Sequence, residues 1–212
     1  MEMILLTLAR AEESNTALTP ETLAREWQGT NTTLIQTLLD QALITQDARG
    51  VLTLTSSGRE RARALLRRHR LAEQHATQVL GLDWTHAHEH ADRVEHHLSA
   101  EEEDALATQL GHPTECPHGN PIPSATPETT PATLTSLAAC PRHTRGVIAR
   151  INAETSQVLH HLATLGLLPN VTVVVEHQAP FGGPVLVRVG RSHYALGRDL
   201  ARRIWIKTEA TE

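Results

Sequence analysis

At 212 residues the chain is long enough for two or three small units, each with a modest core of its own. A net charge of −5 and a pI near 6.3 exclude a global polyanion-binding surface, so contact with nucleic acid would have to come from a local patch. With one Tyr, one Phe and three Trp, the chain has little material for base stacking, which argues against RNA and single-strand binding.

No apolar run approaches the roughly 20 residues that span a bilayer, and the acidic, threonine-rich N-terminal stretch does not read as a signal peptide. A cytoplasmic protein with no membrane partner is expected. Cys116 and Cys140 lack CxxC spacing and are too few for a disulfide scaffold, so they read as ordinary reduced thiols.

In chain order, "EMILLTLARAEE" has apolar residues at helical spacing. "LTPETLAREW" follows, with Thr19 as N-cap and Pro20 at the first helical position. After Gly29, "TNTTLIQTLLDQAL" reads as a third helix, and "DARG" sets a turn between two β-prone runs. Three helices and a hairpin in this order suggest a winged helix-turn-helix over residues 1–63. From Ser56 to Leu80 a helical apolar stripe runs through Ala62, Leu65, Leu66, Ala72, Ala76 and Leu80.

The segment "THAHEHADRVEHHLS" is read as one helix. "SAEEEDALATQL" then opens with Ser99 and Glu102 in capping-box spacing and stops at Gly111. "HPTECPHGNPIPSATPETTPAT" has six prolines and no helical period, and reads as a linker. A helical unit over 64–123, a linker over 124–133 and a small domain over 134–208 are expected. In the last, "GVIARIN", "VTVVVEHQ", "PVLVRVG" and "IWIK" look like short strands, with "SQVLHHLATLG" and "GRDLARR" as helical pieces. A small SH3-like barrel fits these signals. The fold class is therefore mainly α with a small all-β domain.

The chemistry concentrates in residues 85–99, which hold five histidines. On a helix advancing about 100° per residue, with His88 at zero, Asp92 falls near 40°, Glu95 near −20° and His96 near 80°. Two imidazoles and two carboxylates thus share a stripe beside an apolar one formed by Ala87, Ala91, Val94 and Leu98. His86, His90 and His97 point the opposite way, as a solvated or subunit-facing stripe. The preceding helix adds His69 and Glu73, four apart and on one face. These six residues have the donor types of borderline to hard divalent ions, and with no sulfur among them Mn²⁺, Fe²⁺ or Zn²⁺ fits better than Cu⁺.

The helix-turn-helix pattern makes Thr30, Asn31, Thr32, Thr33 and Gln36 the start of a recognition helix, with Arg49 at the wing tip and Arg59 in reach of a phosphate. Residues 1–63 carry six basic and eight acidic side chains, so phosphate neutralisation is thin and a partner subunit or bound cations are needed.

Together, "RRHRLAEQHATQVLGLDW", "HAHEHADRVEHHLS" and "LGHPTECPHGNPIP" resemble the diphtheria toxin repressor family of metal-dependent transcriptional regulators, which includes the manganese transport regulators. Residues 134–207 are similar to a FeoA-type domain, notably in "APFGGPVLVRVG" and "ALGRDLARRIWI". The resemblance implies a homodimer that binds double-stranded operator DNA and holds two divalent ions per subunit. It implies an ancillary site of His69, Glu73 and His88, completed from the SH3-like domain by Glu154 and Gln157. The primary site would use Asp92, Glu95 and His96 with Met3 of the first helix.

Asp92 stands where iron-responsive members often have Cys and manganese-responsive ones Glu, which favours Mn²⁺; Met3 is the softer ligand of the iron branch. Repression of manganese or iron uptake genes, with Mn²⁺ or Fe²⁺ activating operator binding, is the expected function. The rival readings are a two-metal hydrolase, which clustered His and carboxylates can also build, and a metal-buffering protein. The hydrolase is weakened by the lack of a nucleophile motif or a phosphate-binding glycine loop.

Overall fold

The computed structural model describes residues 1–26, 32–124, 134–153 and 155–208. Thr30, Asn31 and Glu154 lie outside the described residues, as do most of the proline-rich segment, 125–133. Two compact units are present, Met1–His69 and the remainder from Arg70 onward. The division falls inside one continuous helix.

The first unit contains α1 (Glu2–Glu13), α2 (Pro20–Glu26), α3 (Thr32–Asp40) and a hairpin of β1 (Ile44–Gln46) with β2 (Leu52–Leu54). Thr19 and Thr22 exchange side-chain bonds at the start of α2: the Thr19 amide donates to Thr22 Oγ1 and the Thr22 amide to Thr19 Oγ1. This satisfies donors the helix cannot use. In the hairpin turn Asp47 Oδ1 accepts from the amides of Arg49 and Val51, and Gly50 supplies φ +83°. Leu5, Leu8, Leu38, Ile44 and Leu52 meet in one core.

α4 (Ser56–Gln78) starts against the base of this hairpin. Thr55 Oγ1 accepts from the Gly58 amide, and a Cβ at Gly58 would stand 1.9 Å from the Leu43 carbonyl oxygen. The wing and the helix are thus seated backbone to backbone.

Beyond α4 the expected single helix over the histidine-rich segment is broken into three. A 3-10 turn (Trp84–His86), α5 (Ala87–Val94) and a second 3-10 turn (Glu95–His97) follow one another. Asp83 accepts from the Thr85 amide and caps the first turn. The second turn tightens because the chain must extend at Leu98 (ψ 120°) to present Ser99 as N-cap of α6 (Ala100–Gln109). At about 120° per residue a 3-10 turn moves His96 away from the uniform helical stripe. The capping box of α6 is formed in both directions, Ser99 with Glu102.

A second correction concerns residues 112–124, whose prolines and lack of helical period read as linker although residues up to 123 fall within the expected helical unit. They form an ordered loop in which Glu115 and Pro121 bridge, the Cys116 amide donates to Asn120 O, and the Ile122 amide donates to Thr114 O. Leu71, Ala107, Cys116 and Ile122 close a small core beneath it. Proline and glycine conceal such a loop because it has no period.

The C-terminal domain is a six-stranded antiparallel sheet in the order β3-β8-β4-β5-β6-β7, with edges at β3 and β7. The strands are β3 (Thr135–Ser136), β4 (Arg145–Ile151), β5 (Thr172–Gln178), β6 (Val185–Val189), β7 (Ser192–Leu196) and β8 (Ile204–Thr208). α7 (Ser156–Thr164) and α8 (Arg198–Arg203) fall in the connections. β3 and β7 escaped the sequence reading because edge strands carry few apolar residues. Ile148, Val173, Val175, Val187 and Ile206 fill the inner face. Among the described residues no helix is long and apolar enough to cross a membrane.

Candidate metal centre

His69 and Glu73 stand one turn apart on α4, and both are buried, at 1% and 3% exposure. α5 brings His88 onto Glu73: His88 Nδ1 lies 3.2 Å from Glu73 Oε1. The other ring nitrogen, Nε2, lies 3.4 Å from Asp92 Oδ2, one turn along α5. Glu95, at 0% exposure, opens the 3-10 turn, with Oε1 3.3 Å from His96 Nε2. A carboxylate so deeply buried is retained only where positive charge and hydrogen bonds offset its lost hydration.

The ordered loop adds two residues that the sequence reading did not select. Cys116 Sγ lies 3.8 Å from His118 Nδ1, and that nitrogen is 3.4 Å from Glu73 Oε1. His118 Nε2 lies 2.9 Å from the Trp84 carbonyl oxygen, to which it donates. That bond fixes the ring and turns Nδ1 toward Glu73 and Cys116, where it can carry a proton, accept from the Cys116 thiol or give its lone pair to a cation. Burial by itself would lower the His118 pKa, but the Glu73 charge and the Cys116 sulfur outweigh it and hold the value well above the usual 6.5. Burial and the Glu73 charge push the Cys116 thiol up. The legible signal was "CPHG", Cys and His two apart, overlooked inside a proline-rich stretch.

Among the described residues three sets of ligand-type side chains bring their donor atoms within 4.8 Å of one another. They are His69, Glu73 and His88; Glu73, Cys116 and His118; and His69, Asp92 and Glu95. The two sets built from the helices share His69, and the third joins them through Glu73, so the six residues that could meet as one site or two lie in or beside one contiguous cluster. Sulfur lies within it, contrary to the expectation drawn from the helices alone.

The other expected residues stand as follows. Met3 is half-buried in the first turn of α1 against Leu6, Leu65 and Leu66. Gln157 is exposed in the first turn of α7, where its neighbour Ser156 donates to Glu89 Oε1. Thr32, Thr33 and Gln36 are exposed on α3, with Gln36 Nε2 donating to Asp40. Arg49 pairs with Asp47 within the wing, and Arg59 with Glu12 at 3.0 Å. His86 and His97 are exposed, whereas His90 is half-buried.

Residues 55–124 match the family model described as the iron dependent repressor, metal binding and dimerisation domain, and residues 135–208 match the FeoA domain. A protein named iron-dependent repressor IdeR from Mycobacterium tuberculosis is 34% identical over 168 residues, 74% of this chain and 73% of that one. The chain belongs to the iron-dependent repressor family. The diphtheria toxin repressor of Corynebacterium diphtheriae is 35% identical over 126 residues, covering 58% of this chain and 55% of its own.

Among solved structures, a manganese-dependent transcriptional repressor in complex with manganese superposes with a TM-score of 0.86 at 30% identity, over 98% of this chain and 99% of that one. T. acidophilum IdeR gives 0.85 at 26% identity, over 98% and 97%. As a family member this chain is a metal-dependent repressor, with a helical N-terminal part and a six-stranded antiparallel sheet domain that also holds α7 and α8.

Proposed function

We propose that the chain is a cytoplasmic, homodimeric repressor that binds duplex operator DNA when Mn²⁺ or Fe²⁺ fills the buried cluster, and that it is not an enzyme. The observation that carries this reading is the convergence of buried His69, Glu73, His88 and Glu95 with half-buried Asp92. The donor set is carboxylate and imidazole, which suits hard to borderline divalent ions. The fully buried Glu95 and the pre-set Nδ1 of His118 both fit such a cation. His69, Glu73 and His88, with Gln157 and Glu154 as further candidates, would hold one ion. Asp92, Glu95 and His96, with Met3, would hold the other, and Cys116 and His118 extend the first set through Glu73. A bound ion supplies the positive charge that lets these carboxylates stay buried and ionised.

The mechanism follows from α4. Its N-terminal end is seated under the wing at Gly58, and its C-terminal half carries His69 and Glu73. A cation held by Glu73 would neutralise its charge and fix that half of the helix against His88 of α5, 3.2 Å away. The same helix transmits the restraint to the wing and so to α3, whose Thr32, Thr33 and Gln36 would face base edges together with Thr30 and Asn31. Arg49 and Arg59 would meet phosphates. Each tenfold gain in operator affinity requires about 1.4 kcal/mol of preferential metal binding to the DNA-competent state.

Self-association is supported by an apolar groove of about 430 Å³ lined by Ala72, Leu80, Val94, Leu98 and Leu106, with His75 and His90 at its wall. Val79, Leu80 and Leu82 are exposed beside it, at 47%, 48% and 38%. Apolar surface of this kind on a segment matching a dimerisation domain is suited to a self-complementary contact.

The test is selection from a random duplex pool with Mn²⁺ or Fe²⁺ and, in parallel, with chelator. Enrichment of a near-palindromic sequence only with metal supports the reading; no enrichment, or hydrolysis of generic phosphate esters, overturns it.

A further inference from the structure

We propose that Asp40 sets the base preference of the recognition helix by fixing the side-chain amide of Gln36, so that Gln36 reads adenine and rejects guanine. This rests on the DNA-binding reading above and names what one of its residues recognises.

On α3, at about 100° per residue, Thr32, Thr33, Gln36, Thr37 and Asp40 fall within an arc of about 140°, opposite the buried Ile35 and Leu38. Thr32, Thr33, Gln36 and Asp40 are exposed, and this is the face the helix has for a major groove. Thr37 Oγ1 is turned back onto the Thr33 carbonyl of the helix itself. Gln36 has the longest side chain on the face and ends in a flat edge that can pair with a base.

Gln36 Nε2 lies 2.8 Å from Asp40 Oδ1, one turn along, and donates to it. An amide can be turned either way, and only its partners decide which end carries the nitrogen. An ionised carboxylate accepts and cannot donate, so the nitrogen end must be the one beside Asp40. Among the described residues Gln36 makes no other side-chain hydrogen bond, which leaves Oε1 and the second Nε2 hydrogen for a ligand. An acceptor and a donor side by side match adenine in the major groove, where N6 donates and N7 accepts. Guanine presents two acceptors there, O6 and N7. To donate to both, the amide must rotate its NH₂ outward, which sets Oε1 against the Asp40 carboxylate with no proton between them.

The place of Asp40 is otherwise unfavourable. It is the last residue of α3, where free carbonyls carry partial negative charge, and no basic residue lies in that turn. A carboxylate on the DNA-facing side also repels phosphates. An Asn would avoid both costs, but it pairs with either orientation of the Gln36 amide. A carboxylate excludes one of them. Asp40 is therefore a positioning residue, which acts on the base through Gln36.

The experiment takes the full chain with metal bound through selection from a random duplex pool, as wild type and as Q36A. The base pair whose preference is lost in Q36A is the one Gln36 reads. Affinity is then measured for the operator carrying A or G at that position in both half-sites, with wild type, D40N and D40E. Wild type should prefer A over G by at least about fivefold, the low end of what a bidentate base contact discriminates. D40E keeps an acceptor-only group and should retain the preference, whereas D40N should lose most of it. Removal of the charge also tightens binding to every duplex alike, a shift that leaves the A to G ratio alone. A role confined to bracing the helix would lower the melting temperature of D40N and weaken all sequences together, again without moving the ratio. A ratio unchanged in D40N, a wild-type preference for guanine, or a Q36A selection identical to that of wild type overturns the inference while metal-dependent operator binding stands. If the wild type selects no duplex with metal, the DNA-binding reading falls, and this one with it.

Discussion

Glu73 is the residue on which most of the buried cluster depends, since it belongs to two of the three ligand groups and touches both His88 and His118. Glu73→Gln keeps the shape but removes the charge. Calorimetric titration should show affinity for Mn²⁺ or Fe²⁺ reduced by at least about tenfold, the scale on which even supporting residues of metal sites act. Wild-type affinity in that variant would remove Glu73 from the ligand set. His118 adds a dependence on pH. Its raised pKa means that, without metal, it stabilises the fold below its ordinary value near 6.5 and loses that contribution as pH climbs through the raised value. Metal needs the same nitrogen deprotonated, so the loaded protein gains over that range. Thermal melts in chelator should fall with rising pH while melts in Mn²⁺ rise; parallel curves would contradict the assignment.

At the scale of elements, the ordered loop of residues 112–124 is held onto β4. The Ile151 amide donates to His118 O, Asn120 Nδ2 donates to Ile151 O, and a Cβ on Gly119 would lie 1.9 Å from Ala149 O. Gly119 also has φ +78°, where L side chains are strained. Gly119→Ala should lift the loop, displace Cys116 and His118, and lower both melting temperature and metal affinity; a drop in neither would mean the loop is not seated as described. The helices and inner strands were legible in the sequence because each carries its period: Ile148, Val173, Val175 and Val187 mark strands, and Ala62, Leu65 and Ala72 mark α4. His88, Asp92 and Glu95 were legible because their spacing lies within one element. The 3-10 break at Glu95 was not, since it is imposed by the start of α6. The spacing of Cys116 and His118 was legible in "CPHG", but their meeting with Glu73 was not, because it is made by a turn of Pro and Gly residues with no repeat to read. The edge strand β7 was missed because Leu196 is its one fully buried side chain.

At the scale of the whole molecule, the proposed dimer contact and the ligand-type cluster both fall in the region that matches the metal binding and dimerisation domain model. Leu80→Asp in the groove should shift sedimentation from dimer to monomer and weaken operator binding, since two half-sites would no longer be engaged together. A variant that stays dimeric would move the interface elsewhere. The central claim is that ion binding and operator binding are coupled. It is tested most directly by fluorescence anisotropy of a labelled operator titrated with the wild-type chain in Mn²⁺ or Fe²⁺ and in chelator. The account predicts at least about tenfold tighter binding with metal, equivalent to about 1.4 kcal/mol of coupling; equal affinity in the two conditions would contradict it.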